Sequence, residues 1–562
     1  MKYAEEFLIH YPELAVFLAI ALGYLIGGVK FGGFALGPVT GSLLAGLAIG
    51  QIADVPVSGM AKSFLFLLFL FGIGYSVGPQ FLPSIRQGGL KPIALSLVCA
   101  FTGLATAYFV ARVLGLDQGY AAGMLSGALT QSPAMGTATE AIGALPLAEA
   151  DRARLIAHVA VADAICYVFG AVGAIWFCSA LAPRMLGVDL VAEAAALERE
   201  LGVERAVPGL SSGYVPFVLR AYRIPVDARI VGETIGAAEN RFAGSRLYIL
   251  RLRRDADIIE AHPDLVIRAG DVLAIGGRRK EVIDILGKRA EEVEDEQLLD
   301  TPYLNLDVLV TSSGLAGHTL AELADAPWSH GINLHDVSRG RQHLPLASGV
   351  TLDKGDVLRV HGPRSAVEAA VERIGPVIAP TTSTDFITLG LAIFIGGLVG
   401  SLLQFRIAGI TVMLGTSVGA LLAGLAVGHM RTRFPLFGRI PDGAVALMTS
   451  LGLAAFVAMT GLHAGPIFFE ALRTAGFGLL FGGLMVTFTP LVVTLFFGSK
   501  VLRMNPILLL GGLAGAMSMT AAMAAIQDAA KSPVPVLGYT PTYPIAQVLL
   551  TVWGSVIVML TG

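Results

Sequence analysis

Long stretches of this chain carry no charge at all, and they fall into two groups flanking a charged middle. Residues 31–53, 63–85, 92–111 and 164–183 contain no Asp, Glu, Lys or Arg, and neither do 386–405, 407–428, 475–499 and 532–562. Each is close to the ~20 apolar residues that cross a bilayer. The pattern predicts spans near 12–29, 36–53, 63–79, 92–114 and 154–182, then near 385–404, 408–428, 444–463, 475–499 and 538–561. Two further segments, 118–142 and 507–530, are too polar for lipid-facing helices. The first holds Thr130, Gln131, Ser132, Pro133 and Thr137; the second holds Ser518, Thr520, Gln527 and Asp528. Irregular backbone at membrane depth survives only where protein or a wet cavity surrounds it, so both are read as interrupted helices.

The two apolar groups are copies of one unit. Gly37 to Gly50 (GPVTGSLLAGLAIG) returns as Gly415 to Gly428 (GTSVGALLAGLAVG), and 415 − 37 equals 428 − 50 at 378. Gly74, Gly78, Pro79 and Arg86 return as Gly461, Gly465, Pro466 and Arg473 at 387, and Gly127 to Met135 returns as Gly515 to Met523 at 388. Duplication with interrupted helices marks a secondary transporter. Five crossings per copy plus a re-entrant hairpin would turn the second copy upside down. The predicted fold class is therefore an α-helical polytopic membrane protein with two inverted-topology repeats and broken or re-entrant helices, spanning residues 1–185 and 383–562.

Composition agrees: 54% hydrophobic residues, 14% charged, and a mean hydropathy of +0.71, against roughly 25% charged in soluble domains. Lys30, Arg86 and Lys91 in the first copy, with Arg431, Arg433, Arg439, Lys500, Arg503 and Lys531 in the second, set the insert cytoplasmic and both termini outside by the positive-inside rule; Arg112, Arg406 and Arg473 dissent. Glu5 and Glu6 stand where a signal peptide carries positive charge, so the N-terminus is expected to remain. Cys99, Cys166 and Cys178 lie in apolar spans without CxxC spacing and read as small buried hydrophobes. No basic patch suggests nucleic acid, and neither metal-ligand spacing nor a phosphate loop or nucleophile motif appears. No cofactor, metal or enzymatic activity is expected.

The middle, roughly 206–375, follows a connecting helix at 186–205 and is itself duplicated. Gly232-Glu-Thr-Ile aligns with Gly317-His-Thr-Leu, and Gly270-Asp-Val-Leu with Gly355-Asp-Val-Leu, both at an offset of 85. Strands, a short helix and a hairpin ending in Gly-Asp-Val-Leu are predicted in each unit, at 206–290 and 296–377, with Gly276 and Gly277 in a hairpin turn. These α+β units resemble the TrkA-C (RCK C-terminal) module.

A duplicated membrane unit around two TrkA-C modules resembles the aspartate:alanine exchanger family of bacterial secondary transporters. That resemblance implies a multi-pass protein of the bacterial inner membrane, an antiporter of small carboxylates or amino acids such as aspartate, alanine or succinate. It implies a cytoplasmic insert that pairs chains into a homodimer or takes a small regulatory ligand. A cation/proton antiporter with TrkA-C modules is the main alternative, though it usually needs an adjacent acidic pair. A potassium channel would need a TVGYG-like filter, which is absent.

An anionic substrate at the midplane needs oriented donors, which half-helix N-termini supply. Thr130, Gln131 and Ser132, with their repeat mates Ser518, Met519 and Thr520, are the first candidates, against the plainer role of bonding kink carbonyls. Asp163, repeat mate of Gln547, would hold a coupling ion, orient a substrate amine or pair with His158. Arg86 and Arg473 suit carboxylate capture, against simple snorkelling. Glu140 and Asp528 share one repeat position. His463 is read as a hydrogen-bonded interior histidine.

Overall fold

The computed structural model describes residues 2–31, 34–35, 37–86, 89–202, 217–241, 247–278, 282–283, 290–324, 326–329, 331–339, 342–378, 383–407, 410–431, 434 and 437–562. The chain forms two compact units: residues 1–198 with 339–344 and 380–562, and residues 199–338 with 345–379.

In the membrane unit, copy one runs α1 (Pro12–Gly28), α2 (Pro38–Ile52), α3 (Gly59–Arg86), α4 (Leu90–Leu114), the half-helices α5 (Gln118–Ala128) and α6 (Ser132–Gly143), and α7 (Glu149–Trp176). Copy two runs α8 (Phe386–Leu402), α9 (Gly415–Arg431), α10 (Asp442–Ala464), α11 (Phe468–Phe496), the half-helices α12 (Pro506–Ala516) and α13 (Thr520–Ala530), and α14 (Val536–Thr561). A short antiparallel hairpin joins the first two helices of each copy, Lys30–Phe31 with Phe34–Ala35 and Gln404–Ile407 with Ile410–Met413. Among the described residues, six helices are long and apolar enough to cross a membrane, and α1, α2, α8 and α12 are shorter apolar helices.

The interrupted segments are re-entrant hairpins. α5 runs parallel to α7: a Cβ on Gly119, Gly123 or Gly127 would meet Leu155, Val159 or Asp163, a constant step of 36 (155 − 119, 159 − 123, 163 − 127). α5 starts at Asp117, whose Oδ2 lies 2.6 Å from Nδ1 of His158, and α6 ends at Gly143, whose carbonyl accepts from Arg152 Nη1 at 3.1 Å. Both ends of the pair therefore sit by the first turns of α7. α12 likewise runs parallel to α14, with Gly511 against Pro535 and Gly515 against Tyr539, and α13 ends at Ala530, just before α14 begins. The two copies repeat one order of helices around a hairpin, as inverted-topology repeats do.

Small residues set the packing. α1–α3 gather with α8–α10 in one bundle, and α4–α7 gather with α11–α14 in another. Within the first bundle α3 crosses α9 and α2 crosses α10 at backbone contact. A Cβ on Gly424 would collide with the Phe71 carbonyl oxygen, and one on Gly46 would collide with that of Ala458. Small residues give membrane helices the close approach that drives their association.

The second unit holds two sheets. β1 (Phe217–Arg223), β2 (Tyr248–Arg254), β3 (Asp257–Glu260), β4 (Val272–Arg278) and β5 (Glu291–Val293) form a sheet ordered β3-β2-β4-β1-β5. β6 (Tyr303–Leu309), β7 (Asn333–Arg339) and β8 (Asp356–Pro363) form another in which β8 lies between β7 and β6. The repeat of 85 persists in backbone detail: Gly232 and Gly317 have φ of 86° and 89°, and Gly270 and Gly355 have 88° and 94°. The buried Asp of each Gly-Asp-Val-Leu closes the preceding turn, Asp271 accepting from Arg268 N and Asp356 from Asp353 N, both at 2.8 Å. Gly276 and Gly277 lie inside β4 rather than in a turn, and Gly276 leaves room for the Tyr248 ring lying across the strand.

Gly424→Val should lower stability by about 1–3 kcal/mol through overpacking, read as a lower thermal midpoint of purified protein. Gly59→Ala, at a position where a Cβ meets nothing within 4 Å, should leave that midpoint unchanged.

Candidate functional site

The two hairpin tips are built alike. Thr130 and Ser518, repeat mates at 388, hold left-handed backbone at φ 54° and 51°, a conformation costing roughly 1–2 kcal/mol for a residue with a Cβ. Each ends its half-helix with the same pair of bonds. Thr130 N donates to Gly127 O at 3.0 Å and Gln131 N to Ser126 O at 2.7 Å; Ser518 N donates to Gly515 O at 2.8 Å and Met519 N to Ala514 O at 2.9 Å. These are the bonds of a Schellman ending, which satisfies carbonyls left open at a helix C-terminus. The chain then restarts as α6 and α13, whose N-termini carry no side-chain cap.

The tips touch each other. Ser518 Oγ donates to Gln131 Oε1 at 2.6 Å, and Gln131 Nε2 donates to Thr551 Oγ1 at 3.3 Å. Thr551 in turn donates to the Gln547 carbonyl at 2.7 Å and its own carbonyl accepts from Thr137 Oγ1 at 2.7 Å. Gln131, Ser132, Thr137, Met519, Gln547 and Thr551 are all buried. The two hairpin tips thus touch through Gln131 and Ser518 among hydroxyls and amides, while Thr520, which begins α13, is exposed. Each terminus carries the equivalent of about half a positive charge.

Beside the α13 terminus lies a cavity of about 520 Å³, with Thr520, Ser76 and Ser450 in its wall. Gln80, Tyr539 and Thr540 also line it, and all three are buried. Gln80 Nε2, Tyr539 OH and Thr540 Oγ1 have no hydrogen-bond partner in the structure. An unpaired buried polar group costs about 1–3 kcal/mol, and these three belong to residues of the cavity wall. A second cavity of about 490 Å³ lies beside α6, with Lys62, Arg152, Glu140 and His463 in its wall. The two are related by the repeat: Ser76 and Ser450 of one answer to His463 and Ser63 of the other, both at 387 (463 − 76, 450 − 63).

The expected cluster of Thr130, Gln131, Ser132, Ser518, Met519 and Thr520 is therefore brought together, with Gln547 adjoining it. Asp163 does not pair with His158. It is buried on α7 and accepts from Ser126 Oγ at 2.5 Å, while His158 meets Asp117. Five residues along a helix turn the side chain by about 140°, so the two point apart. His463 is exposed and lines a cavity instead of lying in the interior. Arg473 is exposed on α11 and lines neither cavity, and the Arg86 side chain lies outside the described residues. Gln80, Tyr539, Thr540 and Lys62 carry no signal in the sequence that marks them for the site. Among the described residues no three His, Cys, Asp or Glu side chains gather as a metal site. Cys99, Cys166 and Cys178 are buried and unpaired as disulfides.

Replacing Gln131 by Leu removes the acceptor of Ser518 and should cost about 1–3 kcal/mol. Ser518→Ala in that background should cost almost nothing more, and a thermal-midpoint double-mutant cycle measures the coupling.

Residues 15–183 and 388–559 match the Asp-Al_Ex family model, described as a predicted permease membrane region, and residues 219–287 and 306–375 match the TrkA-C domain. An uncharacterized transporter of Bradyrhizobium diazoefficiens is 55% identical over 92% of this chain and 100% of its own. One of Shewanella oneidensis is 36% identical over 100% of both chains, and one of Zymomonas mobilis 33% over 99% of both. No solved structure matches the chain.

Proposed function

We propose, from the premise that this chain belongs to the Asp-Al_Ex permease family of membrane transporters, that it exchanges small carboxylates by alternating access around the two hairpin tips. The observation that carries the reading is the cavity beside the uncapped N-terminus of α13, with the hydrogen-bonding residues Gln80, Tyr539, Thr540 and Arg339 in its wall. A carboxylate supplies acceptors to such donors, and the helix dipole favours its charge without a buried cation. Thr520 and Ser132 stand at the two termini, while Gln131 and Ser518 hold the tips in register. Arg339 and Gln342 also line this cavity, and hydrogen bonds to a charged group contribute more than neutral ones, so the wall offers an anion one charged donor among neutral ones.

The repeats give two related cavities, one beside α6 and one beside α13, which suits alternating access between inverted repeats. The α4–α7 and α11–α14 bundle, which contains both hairpins, is the moving part in an elevator-like motion, and the glycine-packed α1–α3 and α8–α10 bundle is the frame. Lys62 and Arg152 draw anions toward one cavity, Arg473 acts at the surface, and Arg86 is kept as its repeat mate in carboxylate capture. Asp163, with its single serine donor, is the place for a substrate amine or coupling cation; a cation/proton antiporter would rest on it alone.

The insert is cytoplasmic in this reading, with both termini outside, and it regulates or pairs two chains. A cavity of about 700 Å³ between its two modules supports a small regulatory ligand, with Tyr248, Leu320, Trp328 and Glu239 in the wall. Burial raises the Glu239 carboxyl above its ordinary range, against the hydrogen bond it accepts from Ile249 N at 2.7 Å.

Proteoliposomes loaded with aspartate, alanine or succinate should take up labelled aspartate, and empty ones should not. Equal flux into empty vesicles would contradict exchange, and flux of cations alone would favour the antiporter. Tyr539→Phe and Thr540→Val should each raise the substrate KM by about tenfold, the order expected for a lost hydrogen bond to a charged group, with little change in thermal midpoint.

A further inference from the structure

Glu140 does more than line a cavity. It stands near the C-terminus of α6, and its carboxylate reaches across to α9 of the other bundle. There it accepts from Thr416 N at 2.6 Å, Thr416 Oγ1 at 2.5 Å and Ser417 N at 3.1 Å. Gly415, at φ 79°, opens the helix, and a Cβ on it would lie only 3.0 Å from that carboxylate. The helix N-terminus is thus filled by a carboxylate carried on the hairpin.

The repeat supplies a second copy of both halves of this contact. Glu140 maps on Asp528 at 388, and Gly415, Thr416 and Ser417 map on Gly37, Pro38 and Val39 at 378. Gly37 has φ 84°, matching Gly415, but a Cβ there would meet nothing within 4 Å, and no side chain caps α2. Asp528 is exposed. One socket is occupied and its repeat mate is open, while the acidic group that matches it stands free of it.

We propose that Glu140 and Asp528 are alternating latches between the two bundles: Glu140 docks on α9 in the present conformation, and Asp528 docks on α2 in the opposite one. The inference rests on the alternating-access reading, in which inverted repeats exchange conformations. The two latches are unequal. Thr416 offers an N–H and a hydroxyl, whereas Pro38 offers neither, and Asp is one methylene shorter than Glu. The Glu140-docked conformation is therefore the resting one. Neither residue touches substrate in this scheme; each is a positioning residue that sets which state is populated.

The test is the rate of disulfide formation between Gln527→Cys and Val39→Cys, the repeat mates of Thr139 and Ser417, in a full-length chain whose three buried cysteines are replaced by Ala. Reconstituted protein should cross-link slowly and faster with aspartate on both sides. Glu140→Ala should speed cross-linking about tenfold, the size of a lost charge-assisted bond. Asp528→Ala, which removes no contact of the present conformation and so serves if Glu140→Ala folds poorly, should slow it. Cross-linking that aspartate accelerates but neither variant changes would overturn the latch and leave alternating access standing. A pair that never cross-links in protein still exchanging aspartate would likewise overturn the latch, whereas loss of exchange into loaded vesicles would overturn the reading beneath it.

Discussion

Everything in the membrane unit turns on how the backbone is satisfied where two helices stop inside a bilayer. A peptide group without a partner there costs several kcal/mol. Each hairpin meets half of that demand by a tight left-handed ending at Thr130 or Ser518. The other half, the N–H groups that begin α6 and α13, has no side-chain partner. The fold thus accepts strain at two residues and leaves two positive helix ends open at one place. The proposed anion site is built from that imbalance, with hydroxyls and amides beside it.

The rest of the unit follows from keeping this centre movable yet intact. The tips are joined by Gln131 and Ser518, so in the proposed motion the hairpins move as one piece. The frame around them relies on glycine at backbone contact, as at Gly424 against Phe71 and Gly46 against Ala458. Such packing needs no interlocking side chains and gives a smooth, stiff support. Glu140 on the α9 terminus then links hairpin to frame by charge and hydrogen bonds, which break and re-form without repacking a core.

Much of this is legible in the sequence, because a bilayer imposes simple rules. Charge-free runs locate the spans, and polar residues at 130–139 and 518–528 locate the interrupted helices. The constant offsets reveal the inverted repeat and pair Glu140 with Asp528 from residue order alone. What stays hidden depends on which helices face each other. Gln80 and Thr540 look ordinary within their helices; only the packing of α3 against α14 sets them on one cavity. Asp163 and His158 are close in sequence, yet helical rotation separates them. The re-entrant course of α5 and α6 likewise emerges only from the parallel contact of α5 with α7.

Hydrogen–deuterium exchange at the starts of α6 and α13 tests the central claim most directly. The purified protein, with and without saturating aspartate or succinate, should show slower exchange of the amides at 132–135 and 520–523 together when the carboxylate is present. No change at either terminus, with protection confined to the insert or to the outer helices, would contradict a carboxylate site between the hairpin tips.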